Sequence, residues 1–365
     1  MTELSRRSAL GLGVTAGLTS AVAGLAGSPV ARADSCSQGE ALAASISGKL
    51  FDGDGLARPV PDVPTPSNLA AGLDRTLVLG GGGEYYVAWY CGFFHGLLEE
   101  GVDAAGQADM VVGTSAGAYI GSSMTSGHFQ HLRSEFDFFG QFPSRFAQLA
   151  PVSSANVSQQ RARDINFSVR SGDAETIRLI GHAALAADNS VNGDAVERLA
   201  WMLTDDSQTG WPPARMFTTA NDCYTGQRLV VGQDVAQRNG IALAHATGAS
   251  SSLPGVIGPT LVGQRYCMDG GISKTWAHTD VVAGSKRALV ITLTNGYEGS
   301  LLSGIPHNIY TEIDALKAVG TTPMLIIAGT PPGVNLLDPN QIAPAMQAGY
   351  DRAKVEAPKI REFYA

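Results

Sequence analysis

Two stretches of the chain decide its fold: LVLGGGGEYYVAW at residues 77–89 and MVVGTSAGAYIG at residues 110–121. In each stretch, a run of β-favouring residues leads into glycines, and helical spacing follows. This alternation of strand and helix is typical of an α/β fold, in which helices cover both faces of a parallel sheet. The four predicted elements are Thr76–Leu79, Val87–Glu100, Met110–Val112 and Ala116–Thr125.

The second glycine cluster contains a candidate nucleophile. Residues Gly113, Thr114, Ser115, Ala116 and Gly117 fit the pattern G-x-S-x-G, in which a sharp turn between strand and helix lifts the serine hydroxyl clear of the sheet. The flanking glycines are needed because side chains would clash in so tight a bend. Amide N–H groups at a helix N-terminus also favour negative charge, such as the oxyanion of acyl transfer. The motif therefore predicts Ser115 as a nucleophile, with a structural serine turn as the alternative.

The first glycine cluster predicts exposed backbone amides beside the same site. Glycines at a strand end let the backbone turn inward with no Cβ in the way. The stretch GGGGEYYV lacks the Gly-Lys-Ser/Thr of a phosphate-binding loop and the glycine spacing of a dinucleotide fingerprint. We therefore predict an oxyanion hole built from Gly81, Gly82 and Gly83.

The base that would activate Ser115 has two kinds of candidate. A Ser-His-Asp triad of the α/β-hydrolase kind needs a histidine late in the chain, and His278 or His307 satisfies that order. Asp269, in YCMDGGISK, follows a short strand and precedes two glycines, which would hold its carboxylate at the strand end. A single carboxylate can act as general base when it lies within hydrogen-bond reach of the hydroxyl. A plain Asp-Gly-Gly turn is the alternative for Asp269.

The rest of the chain continues the alternation of helices and strands. Residues 128–205 have helical periodicity and an aromatic cluster, which is interpreted as core or, alternatively, as a lid over an apolar substrate. Two strands are predicted on either side of Thr225-Gly226. Further predicted elements are a helix Ile241–Ala249, strands Ala288–Thr294 and Met324–Ala328, and a closing helix Gln341–Arg361. No internal repeat is evident, so residues 74–365 are predicted to form one domain.

The N-terminal residues 1–33 are predicted to be a twin-arginine export signal. Arg6 and Arg7 precede a mildly apolar, glycine-rich run without acidic residues, and Ala31-Arg32-Ala33 resembles a signal peptidase site. An uncleaved start that is amphipathic or anchors the chain in a membrane is the alternative. Four nearby prolines predict that residues 34–73 form an extended lead-in. We expect an exported protein of the cell envelope or extracellular space, with no transmembrane segment in its mature part.

The net charge argues against one class of binding partner, and the cysteine spacing argues against one class of metal or redox site. A formal net charge of −8 argues against nucleic acid as a tight partner. The four cysteines, Cys36, Cys91, Cys223 and Cys267, include no Cys-x-x-Cys metal or redox pair. A disulfide between Cys223 and Cys267 is the first choice for an exported chain, and buried free thiols are the alternative.

The order of these motifs resembles the patatin-like phospholipase family, over most of the chain from Thr76 onward. LVLGGGGE is similar to the family's oxyanion loop, GTSAG to its nucleophile elbow and ATGASSSLPGVIGP to its alanine-serine-proline stretch. DGG, at Asp269, Gly270 and Gly271, is similar to its catalytic aspartate motif. The resemblance implies a three-layer α/β/α sandwich with a mostly parallel central sheet, and a Ser115–Asp269 dyad without histidine. It also implies hydrolysis of lipid acyl esters through an acyl-enzyme, with no metal or organic cofactor. A lipid substrate would bring transient contact with a membrane surface.

Two features depart from the family's pattern. Glu84, Tyr85 and Tyr86 follow the glycines where the family usually has Arg or Lys and then another glycine, and SKTWAHTD follows DGG in place of an Asn-x-Pro stretch. The missing cation favours an alternative function, a pseudoenzyme of the same fold that binds an acyl chain. A Ser-His-Asp esterase is the other alternative. Head-group, acyl-length and positional preference depend on residues 128–205, whose placement the sequence does not fix.

Overall fold

Eight strands form one mixed sheet in the computed structural model, which describes residues 51, 53–149, 155–168, 172–189, 211, 215–273, 275, 277–295 and 308–365. The sheet order is β5-β6-β3-β2-β1-β7-β8, with β4 paired to β3. Neighbours from β3 through β2, β1 and β7 to β8 are parallel, and the β3–β4, β3–β6 and β5–β6 pairs are antiparallel. The strands are β1 (Arg75–Leu79), β2 (Met110–Gly113), β3 (Arg215–Asp222), β4 (Arg228–Val231), β5 (Thr260–Val262), β6 (Arg265–Asp269), β7 (Arg287–Thr292) and β8 (Thr322–Ile327).

Ten α-helices are described. They are α1 (Gly83–Glu99), α2 (Ala116–Thr125), α3 (Phe129–Gln141), α4 (Pro143–Leu149), α5 (Val157–Ser168), α6 (Ala174–Ala186), α7 (Gln233–Asn239), α8 (Leu243–Ser250), α9 (Ile309–Ala318) and α10 (Ile342–Tyr364). Short 3₁₀ turns cover Gly270–Ile272, Thr279–Val282 and Pro339–Gln341. No described helix has both the length and the apolar character needed to cross a bilayer.

Side-chain alternation along the central strands divides the core into layers. Leu77 and Leu79 of β1 pack in one apolar cluster with the aromatic residues of α1 and with α10. Val78, between them, packs in a second cluster with Ile309 and Ile313 of α9. Successive strand residues point to opposite faces, so helices cover both faces of a mostly parallel sheet. The predicted three-layer α/β/α sandwich is thereby confirmed.

The N-terminal boundary of this sandwich differs from the predicted one. The compact unit begins at Phe51, ahead of the predicted start near Asp74. Leu56 is buried, and Ala57 forms an isolated antiparallel bridge with Leu229 of β4. Prolines prevent a regular ladder but leave carbonyl oxygens free to accept hydrogen bonds, and Pro59 O accepts one from Arg228 at 3.3 Å. The predicted signal, residues 1–33, lies outside the described residues.

The predicted disulfide between Cys223 and Cys267 is wrong, since both residues are buried free thiols, as is Cys91. Cys267 lies opposite Asp222 in the β3–β6 pair, so Cys223 is displaced by one residue. The two side chains consequently enter different apolar clusters on opposite faces of the sheet. Cys36 lies outside the described residues.

Candidate active site

Ser115 occupies a strained turn between β2 and α2. Its backbone angles are φ 52° and ψ −119°, which side-chain-bearing residues rarely adopt. A Cβ on Gly117 would lie 2.1 Å from the Leu79 carbonyl oxygen, and one on Gly113 would lie 2.5 Å from the Gly117 oxygen. Only glycine fits such approaches, so both glycines of the predicted elbow are needed. The Thr114 amide donates to Leu79 O at 3.0 Å, which joins the elbow to the end of β1.

Asp269 is the last residue of β6, and its side chain reaches Ser115. The carboxyl accepts a hydrogen bond from the Ser115 side chain and another, at 2.7 Å, from the Gly271 amide. Its own amide donates to Ser252 O at 3.0 Å. The turn formed by Gly270 and Gly271 therefore brings a backbone donor onto the carboxylate.

The register of three strands brings these two residues together. Gly113 of β2 lies beside Thr218 of β3, and Asp269 of β6 lies beside Ala220 farther along the same edge of β3, opposite the edge that pairs with β4. Thr219 lies between Thr218 and Ala220 in β3. Its hydroxyl is 2.7 Å from that of Thr114, and a Cβ on Gly270 would come within 2.2 Å of it. The strand β3 thus acts as a common support for the nucleophile elbow and the Asp-Gly-Gly turn.

The electrostatics of the pair suit proton transfer. Asp269 is 4% exposed, and burial raises its pKa to about 7, against the hydrogen bonds from Gly271 and Ser115, which favour the ionised form. A carboxyl that titrates near neutrality can both accept and return a proton at physiological pH.

The alanine-serine-proline stretch holds both members of the pair. Ser250, at the end of α8, accepts a hydrogen bond from the Ser115 amide on its hydroxyl at 2.9 Å. Ser252, two residues on, accepts from the Asp269 amide. One short stretch of chain thereby holds the backbone amides of both Ser115 and Asp269.

The glycine loop after β1 lies against the elbow through one of the three residues that are predicted to form the oxyanion hole. A Cβ on Gly81 would be 2.9 Å from the Ser115 Cβ. Gly82 packs instead against Leu293 and Tyr86, and Gly83 begins α1. Among the described residues, no backbone carbonyl pairs with the amides of Gly81 or Gly82. Gly81 is partly exposed, whereas Gly82 is buried.

Glu84 places a carboxyl just beyond this loop. One carboxylate oxygen is enclosed and has no hydrogen-bond partner in the described part of the chain. Burial raises the pKa of Glu84 to about 7. Burial, together with the Glu84 charge, also raises the pKa of Tyr119, one helical turn after Ser115. Near neutral pH a large share of Glu84 is therefore uncharged, which limits its opposition to an oxyanion.

His278 does not contact Ser115. Its ring is fully buried, with Nε2 2.9 Å from Gly270 O and Nδ1 3.3 Å from the Arg228 guanidinium. Both ring nitrogens are therefore engaged away from the nucleophile, and the Ser-His order of the α/β-hydrolase alternative has no geometric support at His278. His307 lies outside the described residues. Nor does the described part of the chain contain a cluster of three or more potential metal ligands.

Several contributors to this site carry no sequence signal of their own. Asn221 donates to Asp269 O at 2.8 Å and accepts from the Ser273 hydroxyl at 2.8 Å. Thr219 is an equally ordinary residue in the sequence, whereas Ser250 belongs to the alanine-serine-proline stretch. A buried polar residue at the end of a predicted strand is the one pattern that could have indicated Thr219 and Asn221.

Comparisons with known proteins identify the family. A family model described as patatin-like phospholipase matches residues 77–276, which include both glycine clusters and Asp269. Among solved structures, VipD from Legionella pneumophila is 13% identical with a TM-score of 0.39, covering 83% of this chain and 71% of that one. The type III effector protein ExoU is 14% identical with a TM-score of 0.36, covering 80% of this chain and 54% of that one, about half of ExoU's length. A comparison with curated protein sequences gave no significant match. The family model spans more than half of the chain, and the protein accordingly belongs to the patatin-like phospholipase family, a family of lipid hydrolases.

Proposed function

We propose that the protein hydrolyses carboxylic esters of lipids, as a phospholipase A, lysophospholipase or esterase, through a Ser115–Asp269 dyad. The observation that carries this proposal is the hydrogen bond from the Ser115 side chain to the buried Asp269 carboxyl. It provides a nucleophile and a base in direct contact, beside the backbone amides of the loop after β1.

The reaction follows from these contacts. Ser115 Oγ attacks the ester carbonyl carbon as Asp269 takes the hydroxyl proton, and backbone amides stabilise the oxyanion. The tetrahedral intermediate collapses with cleavage of the C–O bond, and the alcohol leaves with the proton from Asp269. Water then attacks the acyl-enzyme while Asp269 accepts its proton. The second collapse returns that proton to Ser115 and releases the fatty acid.

The experiment is hydrolysis of a soluble chromogenic ester, combined with labelling by a fluorophosphonate, which requires an activated serine. Ser115→Ala and Asp269→Asn should each lower kcat by at least about a thousandfold, because the members of such a pair act as a unit. Ser115→Ala should also abolish labelling. Ser134→Ala and Asp234→Asn serve as matched controls on helices away from the site and should retain activity.

Two results would contradict the proposal. A wild-type protein that neither hydrolyses esters nor is labelled would support the acyl-binding pseudoenzyme. An active Asp269→Asn variant beside an inactive, folded His307→Ala variant would support a Ser-His-Asp esterase. Hydrolysis of a panel of phospholipids, lysophospholipids and neutral esters by the wild type would then define the substrate class.

A further inference from the structure

A fully buried histidine lies behind the Asp-Gly-Gly turn in a strained conformation. His278 has φ 57°, and among the described residues the only other non-glycine residue with positive φ is Ser115. Left-handed backbone at a side-chain-bearing residue persists where the surroundings over-determine it, and it often marks a functional position. The contacts of the His278 ring indicate what this position does.

Arg228 fixes the tautomer of the His278 ring. The guanidinium has donors only, so His278 Nδ1, 3.3 Å from Arg228 Nη1, is the acceptor. The ring proton therefore lies on Nε2, which donates to Gly270 O at 2.9 Å. Burial, with the nearby Arg228 charge, lowers the pKa of His278 to about 3, so the ring stays neutral at physiological pH.

Arg228 is itself held on several sides. It is 4% exposed and forms a two-pronged ion pair with Asp280, with both N···O distances 2.7 Å. Its Nε donates to Arg58 O at 2.8 Å, and its Nη2 lies 3.3 Å from Pro59 O. Pairing of this kind compensates the cost of burying the charge, and it gives the His278 ring a rigid backing.

The link from His278 to Asp269 passes through one planar peptide. The carbonyl of Gly270 and the amide of Gly271 belong to the same peptide group, whose C=O and N–H point in opposite directions. His278 donates to this carbonyl at 2.9 Å, and on the other side the amide donates to Asp269 Oδ1 at 2.7 Å. Holding one end of the group therefore aims the other, and hydrogen bonds in such a chain polarise and strengthen one another.

Resting on the proposed Ser115–Asp269 mechanism, we propose that His278, backed by Arg228, is a positioning residue that aims the Gly271 amide at the Asp269 carboxylate. It contacts neither substrate nor nucleophile. Its effect is to keep the carboxylate oriented toward Ser115 and to favour the ionised form that accepts the proton. The stretch after DGG, which departs from the family's Asn-x-Pro pattern, supplies this residue.

The charged groups around the His278 ring determine which residue titrates in the pH profile of activity. Arg228 and Asp280 face the ring, and Glu312 of α9 accepts hydrogen bonds from the amides of Ala277 and Thr279 on either side of it. Because burial and the Arg228 charge keep His278 neutral, the acid limb of the activity profile reports Asp269 rather than the ring.

The test is the pH dependence of kcat and KM for a soluble ester in His278→Ala, His278→Gln and Arg228→Lys. In His278→Ala we expect kcat to fall roughly 10- to 100-fold with little change in KM, since misplacing a catalytic group by a fraction of an ångström has effects of this size. The acid limb should move to higher pH, because the Gly271 hydrogen bond that favours the ionised carboxylate is weakened. His278→Gln, whose amide can donate to Gly270 O, should recover part of both effects. Exposed His131→Ala is the control and should change neither.

The outcomes separate this inference from the proposed function. Suppose that the wild type is active and that folded His278→Ala has the same kcat and the same acid limb. This result would overturn the role of His278 but not the proposed function. If His278→Ala does not fold, Arg228→Lys decides: it removes the fork that fixes the Nδ1 acceptor, and an acid limb identical to wild type would reject the proposal. A wild type without ester hydrolysis or fluorophosphonate labelling would reject both proposals together.

Discussion

At the scale of single residues, the Asp269 carboxyl is balanced between two opposing effects. Burial favours the neutral acid, whereas the Gly271 amide and the Ser115 hydroxyl favour the carboxylate. Complete burial without these donors would leave a carboxyl too protonated to act as base at neutral pH. The donors bring its pKa to about 7, near the pH at which acid and base forms are both accessible.

This balance predicts the pH dependence of activity. The base is the ionised form, and its raised pKa means that ionisation is completed only above about pH 7, so kcat/KM should rise with pH from 5.5 to 8. Steady-state hydrolysis of a soluble ester across this range measures the effect. Glu84 also has a pKa of about 7, and Glu84→Gln is therefore the control. An acid limb that persists in this variant belongs to Asp269, whereas a flat wild-type profile would contradict the assignment of Asp269 as base.

At the scale of elements, the elbow is a contact between β1, β2 and the first turn of α2. Leu79 O accepts from the Thr114 amide at 3.0 Å, and the Gly117 backbone packs directly on that carbonyl. The helix can begin immediately after the strand because neither Gly113 nor Gly117 has a Cβ. Ser115 is consequently presented by two regular elements rather than by a long loop, which limits its freedom to move.

Gly117→Ala tests this packing. The new Cβ would lie 2.1 Å from Leu79 O, so the strand end or the helix must shift, and overpacking of this kind typically costs about 1–3 kcal/mol in unfolding free energy. Activity should fall further than stability, because the shift displaces Ser115. Urea unfolding and ester hydrolysis measure the two effects.

Gly127, just beyond the other end of α2, gives the matched control. It has φ 78° with open space around it, so Gly127→Ala adds conformational strain of about 1 kcal/mol without a clash and should leave kcat unchanged. Equal losses of activity in the two variants would contradict a steric role for Gly117.

At the scale of the whole molecule, the sandwich depends on chain that precedes its first strand. Arg265 is 2% exposed and pairs with Asp54 at 2.7 Å and Asp222 at 2.9 Å. Arg228 donates hydrogen bonds to the carbonyl oxygens of Arg58 and Pro59. The segment from Phe51 to Leu73 thus satisfies two buried cations, one of which backs the Asp-Gly-Gly turn.

N-terminal truncation should therefore distinguish a domain boundary at Phe51 from one at Asp74. A protein that starts at Phe51 keeps these contacts and should retain the midpoint of thermal unfolding and the activity. A protein that starts at Asp74 leaves Arg228 and Arg265 short of partners, and loss of one partner of a buried charge costs roughly 3 kcal/mol or more. Thermal unfolding and ester hydrolysis of both proteins check this, and equal stability would show that residues 51–73 are dispensable.

Much of the molecule follows from local sequence patterns. The apolar runs before the glycines fix β1 and β2, and the spacing of Ala116–Thr125 coincides with α2. The helical spacing of Gln341–Arg361 likewise corresponds to α10. Helices α7 and α9 were not predicted, although Gly240 ends α7 in the left-handed conformation and Asn308 caps α9. Helix α7 has only seven residues, so its periodicity is weak and its packing decides it.

The sequence by itself determined the α/β class, the strained serine turn and the candidate carboxylate, because each depends on residues adjacent in the chain. Only the tertiary structure decided between Asp269 and His278 as the partner of Ser115, placed Cys223 and Cys267 on opposite faces, and assigned Ser250 and Thr219 to the site. The physical reason is that these contacts join residues far apart in the chain. These contacts depend on the register of β2, β3 and β6, where a shift of one residue reverses the face of each side chain.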